Sequence, residues 1–439
     1  MAKKRYVVCG VSARAIGMYI RPIMKKFDHC AELVGMLDID PLRFQVCKDL
    51  VPETKDKGIA EYTVTLENWK EVFDRMIAEQ KPDAVLVVCK DCHHVDYIVR
   101  ALEHDLEVIS EKPMTTNIED SLRVIEAEDK SKGKLICTFN YRYKPAHRKL
   151  RQMILEGKIG KVTHVDLTWY IDIKHGSSYF NRWNRMRENS GSLSIHKSSH
   201  HFDLVSWWID GIPEYVHAFG ALNHYGPEGP FNPSKKDGRV CSECTERRNC
   251  AYKRRFETRN STLFVADDHI NAYETKVKQF SEYRPDRCIF DSEINIHDTF
   301  VVNVKYKNGA LLNYSANFST PYEGYRLAIN GTKGRLETVE FNNRGVLALQ
   351  NPNGLDDFQY IDYYPIFGGQ ERIRVVTSEG GHGGGDPLIL EDIFLGEDPN
   401  REFDILAKSV DGLRAISVGD AVYKSIVDGK VQDLTGFMR

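Results

Sequence analysis

The chain has 439 residues, 41% hydrophobic and 28% charged, with a net charge of −3. That size and composition suit a soluble protein of two domains. The charge balance provides no basic stripe to neutralise nucleic-acid phosphates, and no run of eighteen apolar residues offers a membrane span. MAKKRYVVCG enters a strand within five residues, without the apolar core of a signal peptide, so a cytoplasmic location is expected. Ten cysteines in such a chain read as thiols or metal ligands, not as a disulfide framework.

The first 140 residues alternate strands and helices. Arg5–Cys9 is an apolar, β-branched strand, and it runs into Gly10-Val11-Ser12-Ala13-Arg14-Ala15. Ile16, Tyr19, Ile20, Ile23, Met24 and Phe27 follow at helical spacing. A second strand, Glu32–Leu37, ends at Asp38. This is the strand–turn–helix–strand–acid pattern of a dinucleotide site, G-x-G-x-x-G/A, with Ser12 at the second glycine. The Ser12 hydroxyl is a candidate phosphate donor. A carboxylate at Asp38 accepts from ribose hydroxyls and repels a 2′-phosphate, which favours NAD over NADP.

The alternation continues through a helix at Leu66–Ile77, a strand at Asp83–Val88 and a helix at His94–His104. It goes on with a strand at Leu106–Ser110, a helix capped by Asn117 and a strand at Lys134–Asn140. The result is a doubly wound parallel sheet, a Rossmann domain, over residues 1–138. The strand at Leu106–Ser110 ends in Glu111-Lys112-Pro113. Pro113 stops the ladder and leaves the Lys112 ammonium on the rim where such sheets bind ligands. Cys89-Lys90-Asp91-Cys92-His93 matches the haem-attachment spacing C-x-x-C-H, but at this strand end it reads as lining for the nicotinamide side of the cofactor site.

Residues 139–439 change character. His164–Asp172 alternates, Lys307-Asn308-Gly309 marks a hairpin, and strands are expected at 298–306, 310–318, 327–330, 334–339 and 346–350. The expectation is an α+β domain with a large, mostly antiparallel open sheet, whose width suggests a homo-oligomer. Ser190–Ile209 reads as a helix from Leu193 onward. His196 and His200 then share one face with Asp203, and Lys197 and His201 the next. Histidines at that spacing serve as acid or base, or as zinc ligands. Cys241, Cys244 and Cys250, with Cys288 as a fourth, suggest a structural zinc knuckle in an insert at 226–290. In the glycine loop 379–386, His382 and Asp386 are within reach of a sugar-like substrate.

These features together resemble the glucose–fructose oxidoreductase/inositol dehydrogenase (Gfo/Idh/MocA) family over nearly the whole chain. Glu111-Lys112-Pro113 matches its E-K-P motif. Asn140-Tyr141-Arg142-Tyr143 resembles its domain junction and Gly157-x-x-Gly160 the turn after it, while His94 falls on the histidine after the fourth strand. The resemblance implies a lysine, Lys112, on the reacting hydroxyl, and cofactor contacts from Cys89, His94, Glu111 and Pro113. Its catalytic helix, G-G-x-x-x-D-x-G-x-H-x-x-D, aligns with the histidine at His200 and the last aspartate at Asp203. His196 stands in place of the upstream aspartate, beside Lys197. Tyr141, Arg182, Trp183, His201 and His382 are the expected substrate contacts. The implied activity is NAD-dependent oxidation of a sugar, sugar derivative or cyclitol. A redox-neutral glycoside cleavage through a transient keto-sugar and a non-catalytic NAD- or sugar-binding regulator are the alternatives.

Overall fold

The computed structural model describes residues 2–252, 284–342, 358–378, 380–399, 401 and 403–438. The strand expected at 346–350, Glu379 of the glycine loop and residues 253–283 of the insert lie outside these described residues.

Six parallel strands form the first sheet: β1 (Lys4–Cys9), β2 (Ala31–Asp38), β3 (Ala60–Thr63), β4 (Ala84–Val87), β5 (Glu107–Ser110) and β6 (Leu135–Cys137). Their order is β3-β2-β1-β4-β5-β6. The central strands are Val/Ile/Leu runs because helices cover both faces. The order reverses between β1 and β4, and such a switch point opens a crevice at the carboxyl ends of the strands. The apolar stripe after the Gly10 turn is buried from Ile16 to Phe27. Its first turn, Ala15–Ile20, is a π-helix that passes into an α-helix at Arg21–Lys25. Asn117 caps the helix Ile118–Lys130 by accepting from the Asp120 amide at 2.7 Å. The last strand is shorter than expected: after Cys137 the backbone turns, and Asn140–Tyr143 is a 3-10 helix at the junction.

The second sheet has nine strands. They are β7 (Val162–Asp172), β8 (Pro213–Ala221), β9 (Thr299–Tyr306), β10 (Leu311–Thr320), β11 (Glu323–Gly331), β12 (Gly334–Asn342), β13 (Phe358–Pro365), β14 (Glu371–Val376) and β15 (Gln432–Asp433). The order is β14-β13-β12-β11-β7-β10-β9-β8-β15, antiparallel throughout except for the parallel pair β7/β10. Alternate residues of β9 and β10 are buried against helices, and their neighbours face outward. The long helix Ser409–Asp428 packs on β8, on the helix Ser199–Ile209 and on Ile118–Lys130 of the first half. It thereby ties the two halves together.

The helix expected from Leu193 onward is two helices, Leu193–His196 and Ser199–Ile209, with a turn at Lys197-Ser198. Side chains from other elements hold the break. The Lys197 ammonium donates to the Tyr141 hydroxyl at 2.9 Å, and the Ser198 hydroxyl meets that of Tyr314 at 2.9 Å. His196 and His200 therefore do not form one helical face with Asp203.

Candidate active site

The crevice beyond β1, β2 and β4 is one end of a cavity of about 840 Å³ that runs to the helix Ser199–Ile209. Gly10, Ser12, Ala13, Arg14 and Asp38 line that first end, and Lys112, His196, Lys197, His200 and His382 line the other. Cys89, His94, Glu111, Arg182 and Trp183 lie along the wall.

At the first end Gly10 has φ +94°, and a Cβ there would stand 2.5 Å from the Cys89 backbone. Only glycine permits this approach. The Ser12 hydroxyl donates to the Val88 carbonyl and accepts from the Ala15 amide, each at 3.1 Å. In this arrangement the hydroxyl braces the helix start from within the turn. Ala15 is buried beneath it, outside the cavity lining. Asp38 accepts from the Val11 amide at 2.6 Å, and the Arg43 guanidinium stands 3.6 Å away. Burial pushes the Asp38 carboxyl up from its usual range.

In the middle, Glu111 is buried and takes three donors: Arg14 Nε at 2.6 Å, the Tyr19 hydroxyl at 2.9 Å and the Lys112 amide at 3.2 Å. The Lys112–Pro113 peptide is cis. His94 Nδ1 lies 2.8 Å from the Pro113 carbonyl and Nε2 3.1 Å from that of Cys89, so this ring ties the β4 loop to the E-K-P turn. Pro113 acts through this contact and does not line the cavity. The Lys112 ammonium donates to the His196 carbonyl at 3.0 Å. Burial is the main cause that lowers Lys112 to about 8, opposed by Asp91 and Glu111.

At the far end three histidines meet different fates. His196 is clamped, with Nδ1 2.5 Å from Asp91 and Nε2 3.1 Å from the Asn184 amide. His201 is fully buried beside Trp169 (ring centroids 3.8 Å), its Nδ1 2.7 Å from the Tyr314 hydroxyl. It is not part of the cavity wall, contrary to its expected substrate role. His200 stacks on Tyr141 with centroids 4.3 Å apart, and its buried Nδ1 has no hydrogen-bond partner among the described residues. Burial, reinforced by Lys112 and Lys197, pushes His200 well below the usual histidine range. Asp203 faces away, paired with Arg142. Tyr141 lies behind His200 and is nearly buried.

The glycine loop closes this end. His382, Gly383 and Gly384 adopt left-handed backbone before the helix proper. That turn swings the His382 ring to 6.2 Å from the His200 ring. Asp386 holds it there: it meets His382 Nδ1 at 2.9 Å and also accepts from Asn140 at 2.6 Å and Arg14 at 3.3 Å. The sequence reading missed Arg43, Asn184 and the contact of Asp91 with His196. Asp91 carried one legible signal, its place just past the end of a central strand.

The zinc knuckle is not supported. Among the described residues, no group of three or more His, Cys, Asp or Glu side chains is placed to hold a metal ion, at the cysteines or at His196 and His200. Cys241 and Cys288 flank a single β-bridge, Val240↔Arg287, beside Cys244 and Cys250 of the same insert. Burial pushes the Cys288 thiol up to about 11. The same effect holds Cys89 far above the ordinary thiol range.

A parallel nucleotide-type sheet is joined to a wide open sheet, and a lysine and a histidine, Lys112 and His200, line one cavity with the turn at Gly10. Residues 4–139 match the family described as "Oxidoreductase family, NAD-binding Rossmann fold", and residues 151–434 match its C-terminal alpha/beta domain. The chain belongs to the Gfo/Idh/MocA oxidoreductase family. It is 50% identical over 428 residues, 97% of each chain, to a Bacillus subtilis protein named as an oxidoreductase, YteT. An inositol 2-dehydrogenase of Corynebacterium glutamicum is 36% identical over 132 residues, 30% of this chain and 36% of that one. Among solved structures, the WlbA dehydrogenase of Bordetella pertussis, in complex with NADH and UDP-GlcNAcA, superposes with a TM-score of 0.61 at 17% identity, covering 99% of both chains. The aldose-aldose oxidoreductase of Caulobacter crescentus gives 0.60 at 17% identity, covering 99% of this chain and 100% of that one. No described helix is long and apolar enough to cross a membrane.

Proposed function

We propose that the protein is an NAD-dependent dehydrogenase acting on a secondary hydroxyl of a sugar, sugar derivative or cyclitol. Residues 1–138 hold the cofactor and 139–439 the substrate. The observation that carries this reading is that Lys112 and His200 line the same cavity as the Gly10 turn and Asp38. The fit to a dinucleotide rests on that turn: its Gly10 backbone lies against Cys89 with no room for a side chain, and Asp38 sits at the β2 end where ribose hydroxyls need an acceptor. Bound there, NAD supplies the carbon that accepts or returns hydride. His200 takes the substrate hydroxyl proton, and the Lys112 ammonium stabilises negative charge developing on that oxygen.

The test is an absorbance scan at 340 nm with sugars, glycosides and inositols. NADH formation with one substrate class is expected, with NADH bound at least about tenfold more tightly than NADPH because of Asp38. Equal affinities would remove Asp38 as the discriminator. A second reading, redox-neutral glycoside cleavage, is favoured by the His196–Asp91 pair, which offers an acid or base beyond His200. It predicts substrate consumed with bound NAD and no net NADH.

Lys112 is charged below about pH 8 and loses its proton above it. A rate that depends on the ammonium therefore falls as pH rises through that value. Lys112→Met is expected to abolish this limb and to lower kcat at least about tenfold, with NADH affinity within about threefold of wild type. An unchanged rate would take Lys112 out of the mechanism.

A further inference from the structure

Buried cations in this protein are neutralised by carboxylates. Among the described residues, Arg142 meets Asp203 at 2.6 Å, Arg185 meets Asp291 at 2.8 Å, and Arg151 meets Asp210 at 2.9 Å. Such pairing is the rule, because an unpaired charge away from water is costly. Lys197 breaks it. Its side chain is 5% exposed, it lines the cavity, and no carboxylate oxygen lies within 4.0 Å of its ammonium among the described residues. Its one hydrogen bond goes to a neutral group, the Tyr141 hydroxyl, at 2.9 Å.

The carboxylates around the cavity are already engaged. Asp91 holds His196, Glu111 holds Arg14, Asp386 holds His382 and Arg14, and Glu323 holds His175. Lys112 also lacks a carboxylate within that distance, so two ammonium groups share one end of the cavity. Lys112 is committed to the reacting oxygen in the mechanism above. The cofactor pyrophosphate belongs at the opposite end, by the Gly10 turn. The surplus charge at Lys197 is left for the substrate.

We infer that the substrate is a sugar acid, whose carboxylate sits on the Lys197 ammonium beside the Tyr141 hydroxyl. This inference rests on the dehydrogenase reading for the identity of the sugar-binding end. The Tyr141 oxygen accepts from Lys197 and so holds the ammonium in place from behind. Tyr141 also stacks on His200, so the anchor and the base are held by one ring. Neutralising Lys197 removes one of the positive charges that depress His200, so the correct substrate makes its own base stronger.

The test titrates hexuronates, hexonates, their methyl esters, the parent hexoses and a hexose 6-phosphate into the full-length protein by calorimetry, with and without saturating NADH. NADH binding, followed by its fluorescence, tests the dehydrogenase reading separately. The expected result is at least a tenfold tighter Kd for one acid than for its ester, a preference that Lys197→Met reduces to about unity. NADH titration of that variant reports its fold, and the wild-type comparison of acid with ester stands without any variant. Equal binding of acids and esters, no binding of any acid, preference for the phosphate, or a preference that survives Lys197→Met each overturns the inference. Loss of NADH binding in the wild type, with the acid preference intact, would instead sink the dehydrogenase reading alone.

Discussion

His200→Ala is expected to lower kcat by about 10²–10⁴-fold, the usual worth of a positioned general base, and to leave NADH affinity nearly unchanged. Of the four basic side chains between residues 196 and 201, His200 alone combines a place on the cavity wall with a buried ring nitrogen that no group among the described residues engages. His196 is clamped between Asp91 and Asn184, Lys197 is bonded to Tyr141, and His201 is turned to Tyr314. Burial keeps the His200 imidazole neutral, which is the form that can accept a proton. Stacking on Tyr141 fixes the plane of the ring, so the proton-accepting direction is set before substrate arrives. Steady-state kinetics on the substrate found in the absorbance screen checks this. Near-full turnover in the variant would move the base to His196, and His196→Ala is then the comparison that decides.

Asp203→Ala is expected to destabilise the fold by about 3 kcal/mol, the low end for breaking a buried ion pair. Asp203 and Arg142 are almost fully buried, and Arg142 donates to the two carboxylate oxygens at 2.9 and 2.6 Å. The estimate stays at the low end because Asp411 remains 3.2 Å from Arg142 and the Asp404 carbonyl still accepts at 3.2 Å. Arg142 belongs to the junction turn that also carries Tyr141, so the pair links the helix of the base to the hinge between the halves. Chemical denaturation checks the size of the effect. An unchanged midpoint would mean that Asp411 alone satisfies Arg142.

The dinucleotide turn, the parallel sheet and the E-K-P rim were legible in the chain because each is local. Hydrophobic periodicity fixes strand and helix over a few residues, and Gly10 and Pro113 act through their own backbone. The interruption at Lys197-Ser198 was not legible. Leu193–Ile209 carries no glycine or proline, and the break is held by hydroxyls of Tyr141 and Tyr314, which lie far away in sequence. The proximity of Asp91 to His196, 105 positions on, depends on how the two halves pack, and the return of His382 over His200 on long-range packing within the second half.

The sequence by itself therefore determined the class of fold, the glycine turn after the first strand and the lysine on the sheet rim. Only the tertiary structure decided which of two adjacent histidines faces the cavity, since helical spacing sets relative directions while packing against Trp169 and Tyr314 sets which direction is inward. It also decided which buried charges have partners. A partner is a matter of distance in space, and Arg142 and Asp203, or Asp91 and His196, stand far apart in sequence.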